Sequence, residues 1–98
     1  MGKLILTRKP GESVKIGQSI LTVREVHPKK VYVEVQIFVG PFVQSTHHYW
    51  IRLFESTDAI EAVHANQCKV TIAAISGRQV RLHFDADSSV KIVRSELL

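Results

Sequence analysis

The sequence predicts a mostly β, antiparallel fold, and three observations carry that prediction. Apolar, often β-branched residues recur at every second position along several runs. The breaks between those runs hold turn-forming residues. The chain is 45% hydrophobic with a mean hydropathy of +0.05, a composition that folds rather than stays disordered.

The elements follow in order. Leu4, Ile5 and Leu6 open a first strand that ends in the cations Arg8 and Lys9, and Lys9, Pro10 and Gly11 turn the chain. A hairpin is expected from 21–26 and 31–38, where Val31, Val33, Val35 and Ile37 alternate with Tyr32, Glu34 and Gln36. Its turn is His27, Pro28, Lys29 and Lys30, and Gly40 and Pro41 end it. Asp58, Ala59, Ile60 and Glu61 have the spacing of a capping box, although such a box prefers Ser or Thr at the cap. With Ala62 and Val63 this predicts a short helix over 58–65. A second hairpin is expected from 70–75 and 79–84 around Ser76, Gly77 and Arg78. A last strand holds Val90 and Ile92 on either side of Lys91.

The two hairpins align with each other. Moving 18–45 by 49 places lays it on 67–94 without a gap, with Gln18 on Gln67, Thr22 on Thr71 and Val31 on Val80. Apolar positions coincide along both copies. A degenerate repeat is one reading, and the ordinary similarity of two alternating hairpins is the other.

With 98 residues the chain suits one domain with a modest core. No apolar stretch approaches the ~20 residues that span a bilayer. The opening residues lack a secretory pattern, and the lone Cys68 fits a reducing cytoplasm. A net charge of +4 suits a polyanionic partner, though many small basic domains have none.

Enzymatic and metal chemistry find little support. The five histidines include the adjacent pair His47 and His48, which a strand points to opposite faces. No Cys or acid completes a tetrahedral ligand spacing. Asp85 and Asp87 lack a general-base partner. No cofactor and no small-molecule substrate is expected, and the chain is read as a non-enzyme. Tyr49, Trp50, Phe54 and Phe42 concentrate the aromatic residues. They are read first as packing for the insertion or a second subunit, and second as a base-stacking platform.

The two ends carry the most specific pattern. Residues 4–17 read Leu-Ile-Leu-Thr-Arg-Lys-Pro-Gly-Glu-Ser-Val-Lys-Ile-Gly, and residues 70–97 read VTIAAISGRQVRLHFDADSSVKIVRSEL. Together they resemble the carbon storage regulator family (CsrA/RsmA). That family opens L-I-L-T-R-x-x-G-E-x-I-x-I-G, continues with a G-x-Q-V-R-I hairpin and closes with V-x-V-H-R-E-E. The start Met-Gly-x-Leu-Ile-Leu and the ending are also similar to the RsmN/RsmF variant, which carries an insertion between the second and third strands. The resemblance implies a small antiparallel β-sandwich or barrel, here a single RNA-binding domain over 1–98. An inserted segment at about 18–67 would hold extra strands and the short helix. If the insertion repeats the closing strands, Ser45 stands in the first copy where Arg94 stands in the second.

The resemblance further implies post-transcriptional regulation. The protein would bind GGA motifs in hairpin loops of mRNA leaders and repress translation, with small regulatory RNAs as further partners. The first strand would lie beside 90–94, and the site would draw on Leu6, Thr7, Arg8, Lys9, Arg81, Val90, Ile92 and Arg94. Arg94 suits a guanine edge, and Arg8, Lys9 and Arg81 suit phosphates. Leu6 and Ile92 would present apolar surface beneath splayed bases, while the 90–94 backbone meets base edges. For Arg94 the plain alternative is a surface ion pair with Glu96 or Glu12. Several positions depart from the family pattern: Val93 replaces its His, Ser95 its Glu, and Ala86, Asp87 and Ser88 its Ala-Pro-Lys, which makes this corner less basic.

The rival function is a protein-interaction subunit that acts as a decoy for ordinary family members, and such a decoy need not keep both Arg8 and Arg94. A DNA-binding β-ribbon is a more distant rival. A homodimer with two equivalent sites is the expected assembly, because one opening pair of strands leaves the duplicated set short of partners and an unpaired sheet edge invites another chain. The other arrangement is one chain acting as its own pair of subunits, with a single site.

Overall fold

The structure is a computed structural model and describes residues 2–53, 68–86 and 92–94. Among the described residues eight strands run in chain order: β1 Gly2–Arg8, β2 Ser13–Ile16, β3 Ser19–Val26, β4 Lys30–Val39, β5 Phe42–Arg52, β6 Cys68–Ser76, β7 Gln79–Ala86 and β8 Ile92–Arg94. They form two sheets, one of three strands in the order β1-β7-β6 and one of five in the order β5-β4-β3-β2-β8. All their ladders are antiparallel. The mostly β, antiparallel expectation holds. The helix expected over 58–65 lies outside the described residues, as does Phe54.

Alternation in the sequence becomes the inside and outside of each sheet. On β7, Val80, Leu82 and Phe84 are fully buried, while Arg81 is exposed. On β4, Val31, Val33 and Val35 are buried likewise. One hydrophobic core unites residues of both sheets, from Leu6, Val70 and Phe84 on one side to Val14, Leu21 and Ile51 on the other.

The hairpins β3–β4 and β6–β7 repeat one geometry at a spacing of 49 residues. Ser19 pairs with Ile37 and Cys68 with Ala86; Val23 pairs with Val33 and Ile72 with Leu82. Each ladder shifts register once, between Val23 and Glu25 in the first and between Ile72 and Ala74 in the second. A bulge is a localised feature that alternation alone does not position, so its recurrence at the equivalent place goes beyond a shared apolar pattern.

β5 is the longest strand, and the pattern of 42–52 gave no apolar alternation to predict it. The reason is its place at the sheet edge, where only Ile51 is buried. Tyr49 is partly buried against the core, whereas Phe42 and Trp50 are 75% and 48% exposed.

Candidate nucleic-acid interface

The turn after β1 explains the Thr-Arg-Lys-Pro-Gly-Glu sequence. Gly11 has φ +91°, a left-handed conformation that other residues rarely adopt. Glu12 closes the turn in both directions. Its carboxylate Oε1 accepts from the Lys9 backbone N at 2.7 Å, and its own N donates to the Lys9 carbonyl at 3.0 Å. Two further bonds dock the turn on β3: Gly11 N donates to Val23 O at 2.7 Å, and Val23 N donates to Glu12 O at 3.0 Å. Lys9 is thereby held at the surface on a fixed backbone.

Pairing of β1 with β7 then assembles a cationic corner. Thr7 stands opposite Arg81, and Arg8 opposite Val80. Thr7, Lys9 and Arg81 are all exposed. The β6–β7 turn, with Gly77 at φ +59°, adds Arg78. Lys9, Pro10, Ser76, Arg78 and Gln79 line a shallow groove of about 470 Å³. Arg78 was not among the residues expected from sequence. Its signal was the register itself, since β1 ends against the β6–β7 turn.

Two expected contacts are corrected. Leu6 is 2% exposed and belongs to the core, so its side chain gives a base no platform. Arg8 is 5% exposed, with Nη1 donating to the Thr7 carbonyl at 2.9 Å. It shares strand parity with Leu4 and Leu6 and is enclosed with them, whereas Thr7 and Lys9 take the outer parity.

The expected ladder between β1 and the closing strand is not formed. β1 pairs with β7, and β8 pairs with β2: Ile92 stands opposite Ile16, Val93 opposite Lys15 and Arg94 opposite Val14. The physical reason is that β7 offers β1 a longer apolar partner, with Leu4 opposite Phe84 and Leu6 opposite Leu82. Ile92 is half-buried and packs on the core. Val90 lies outside the described residues. Glu12, one of the two acids in the alternative ion-pair reading of Arg94, uses its carboxylate on the Lys9 backbone.

Among the described residues no group of three or more His, Cys, Asp or Glu could hold a metal ion, and no helix is long and apolar enough to cross a membrane.

Comparison with known proteins gives one family match. Residues 60–98 match the model of the CsrA family, described as the global regulator protein family. No curated protein and no solved structure matches the chain. The matched stretch contains β6, β7 and β8, and therefore Arg78, Arg81, Ile92 and Arg94. The closing part of this chain is similar to the CsrA global regulators.

Proposed function

We propose that the chain is an RNA-binding post-transcriptional regulator that takes GGA motifs in hairpin loops of mRNA leaders and represses translation by occupancy. The observation that carries the reading is the exposed cationic corner of Lys9, Arg78 and Arg81, built in part by the stretch similar to CsrA. Lys9, Arg78 and Arg81 neutralise phosphates, which gives affinity without sequence. Arg94 supplies the guanidinium for a guanine edge, and the backbone of 90–94 meets base edges left open in a loop. Leu6 and Arg8 support this surface from within. No covalent step is required, and the work is carried out in the cytoplasm.

The test is a gel shift with three ligands: a GGA hairpin, the same hairpin with GGA mutated, and duplex DNA. Arg94→Ala is expected to cost ~1–3 kcal/mol for the GGA hairpin, as loss of a base contact does. Lys9→Ala weakens all RNAs alike and flattens the salt slope by about 1. Unchanged GGA binding by Arg94→Ala removes Arg94 from the site. Equal affinity for duplex DNA and the hairpins would point to a DNA-binding ribbon. No RNA binding, together with capture of a CsrA-type protein, supports the decoy subunit.

Two assemblies go with this function: a homodimer with two equivalent sites, and a single chain with one site. The second is favoured by a specific observation, the core that both hairpins share within one chain. In that arrangement β3–β4 acts as scaffold, and Ser45, aligned with Arg94 in sequence, pairs instead with Ile37 of β4.

A further inference from the structure

The outer face of the β4–β5 hairpin holds a feature that the reading above leaves unused. Three successive cross-strand pairs lie there: Lys30 with Arg52, Tyr32 with Trp50, and Glu34 with His48. The rings of Trp50, Tyr32 and His48, with that of His27 in the turn, form a continuous row. His27 and Trp50 have centroids 5.4 Å apart, Trp50 and Tyr32 4.7 Å, and Tyr32 and His48 5.7 Å with nearly parallel planes at 11°. Trp50 remains 48% exposed although its neighbour Ile51 is buried, so the row stands outside the core.

The charges beside the row identify its ligand class. Lys30 and Arg52 face each other directly across the ladder, where like charges destabilise a sheet. Lys30 Nζ lies 4.5 Å over the Trp50 ring, and among the described residues neither cation has an acidic partner. Glu34 is already engaged, accepting from Arg24 Nη2 at 2.7 Å and lying 3.1 Å from His48 Nε2. An apolar protein partner would bury Lys30 against Arg52 with no counter-charge. A phosphate backbone supplies that charge, and its bases supply π faces for the rings.

We propose that this face is a second RNA surface, which takes single-stranded RNA by stacking bases on the Trp50 row and by holding phosphates with Lys30 and Arg52. It rests on the reading of the chain as an RNA-binding protein and extends it. The cationic corner belongs to β1 and β7 of the three-stranded sheet, whereas this face belongs to the far edge of the five-stranded one. Stacking tolerates any base, so this surface grips RNA flanking a specific loop without reading its sequence.

Trp50 is the only tryptophan in the chain, so its emission reports directly on the surface. The experiment titrates the full chain with oligouridylate, which lacks GGA, and separately with a GGA hairpin without single-stranded tails. Oligouridylate is expected to quench Trp50 in the wild type and equally in Arg94→Ala. Trp50→Ala, followed by filter binding, weakens oligouridylate by roughly 5- to 150-fold, the loss of one stacking ring. Lys30→Glu weakens it by about tenfold or more and flattens the salt slope by about 1. It leaves hairpin binding intact and, by pairing with Arg52, does not lower the melting temperature. Trp50 emission unmoved by saturating oligouridylate, with the GGA hairpin still bound, overturns this surface alone. Oligouridylate binding lost in Arg94→Ala and unchanged in Lys30→Glu overturns it too, by placing both RNAs at one site. If neither RNA binds, both readings fall. If oligouridylate binds and GGA is not preferred, this surface stands and the sequence-specific reading falls.

Discussion

At the residue scale, the Gly11–Glu12 turn joins local backbone chemistry to function. An added Cβ at Gly11 meets nothing within 4 Å, so a substitution is opposed by conformation rather than by a clash. Gly11→Ala is therefore expected to destabilise by ~1–2 kcal/mol, the penalty for a left-handed L-residue. A larger loss in thermal unfolding would mean that the turn rearranges. Glu34 makes a second prediction. The Arg24 hydrogen bond holds its carboxyl below the ordinary carboxylate value, burial opposes this, and the His48 contact adds to the lowering. A lowered folded-state pKa gives stability that is present above the unfolded value and lost as pH falls through the folded value. Arg24 is about half exposed, so the contribution is below ~1 kcal/mol. Glu34→Gln should flatten the acid limb of a stability-against-pH curve by that amount, and an unchanged limb would show the pair to be idle.

At the element scale, the matched hairpins make a paired test. Val33 and Leu82 occupy equivalent positions, both fully buried in the same core. Leu82→Ala is expected to destabilise by ~2–5 kcal/mol. Val33→Ala should act in the same direction and by less, since fewer methyl groups are removed. Both should lower one common denaturation midpoint, and separate transitions for the two variants would show that the hairpins fold independently. The same pattern decides what the sequence revealed. Strict alternation made β4 and β7 readable to within a residue or two, and the spacing of 49 anticipated their shared register. β5 was hidden because an edge strand that buries only Ile51 needs little alternation. The outward residues Thr7, Lys9 and Arg81 were legible as site candidates. Arg8 was misjudged because its charge was read ahead of its parity with Leu4 and Leu6. The partner of the closing strand was also beyond reach, since no local pattern states which edge a three-residue strand joins.

At the scale of the whole molecule, the question is how many chains make a functional unit. A chain of ~60 residues leaves apolar faces that a second copy must cover. Here β3–β4 and β6–β7 bring equivalent apolar faces into one core. That core includes Leu6 from β1 and Val14 from β2, while Ile92 of β8 packs against it. The radius of gyration over Cα atoms is 12.2 Å, close to the ~13 Å of a single folded domain of about 100 residues. The need that drives ordinary association is thus met within the chain. The opposing consideration is edges. β1 and β6 end one sheet, and β5 and β8 end the other, and an open edge invites another strand. Charge counters that invitation at β5, where Arg52 stands opposite Lys30 and His48 opposite Glu34. Light scattering is therefore expected to give the 11.1 kDa mass of one chain at micromolar concentration, and titration with a GGA hairpin one RNA per chain. Twice that mass, with two RNAs per particle, would establish the homodimer. Twice the mass with one RNA would mean that a complete site needs residues from both copies. A mass that doubles only when RNA is added would assign the pairing to the ligand rather than to the sheet edges.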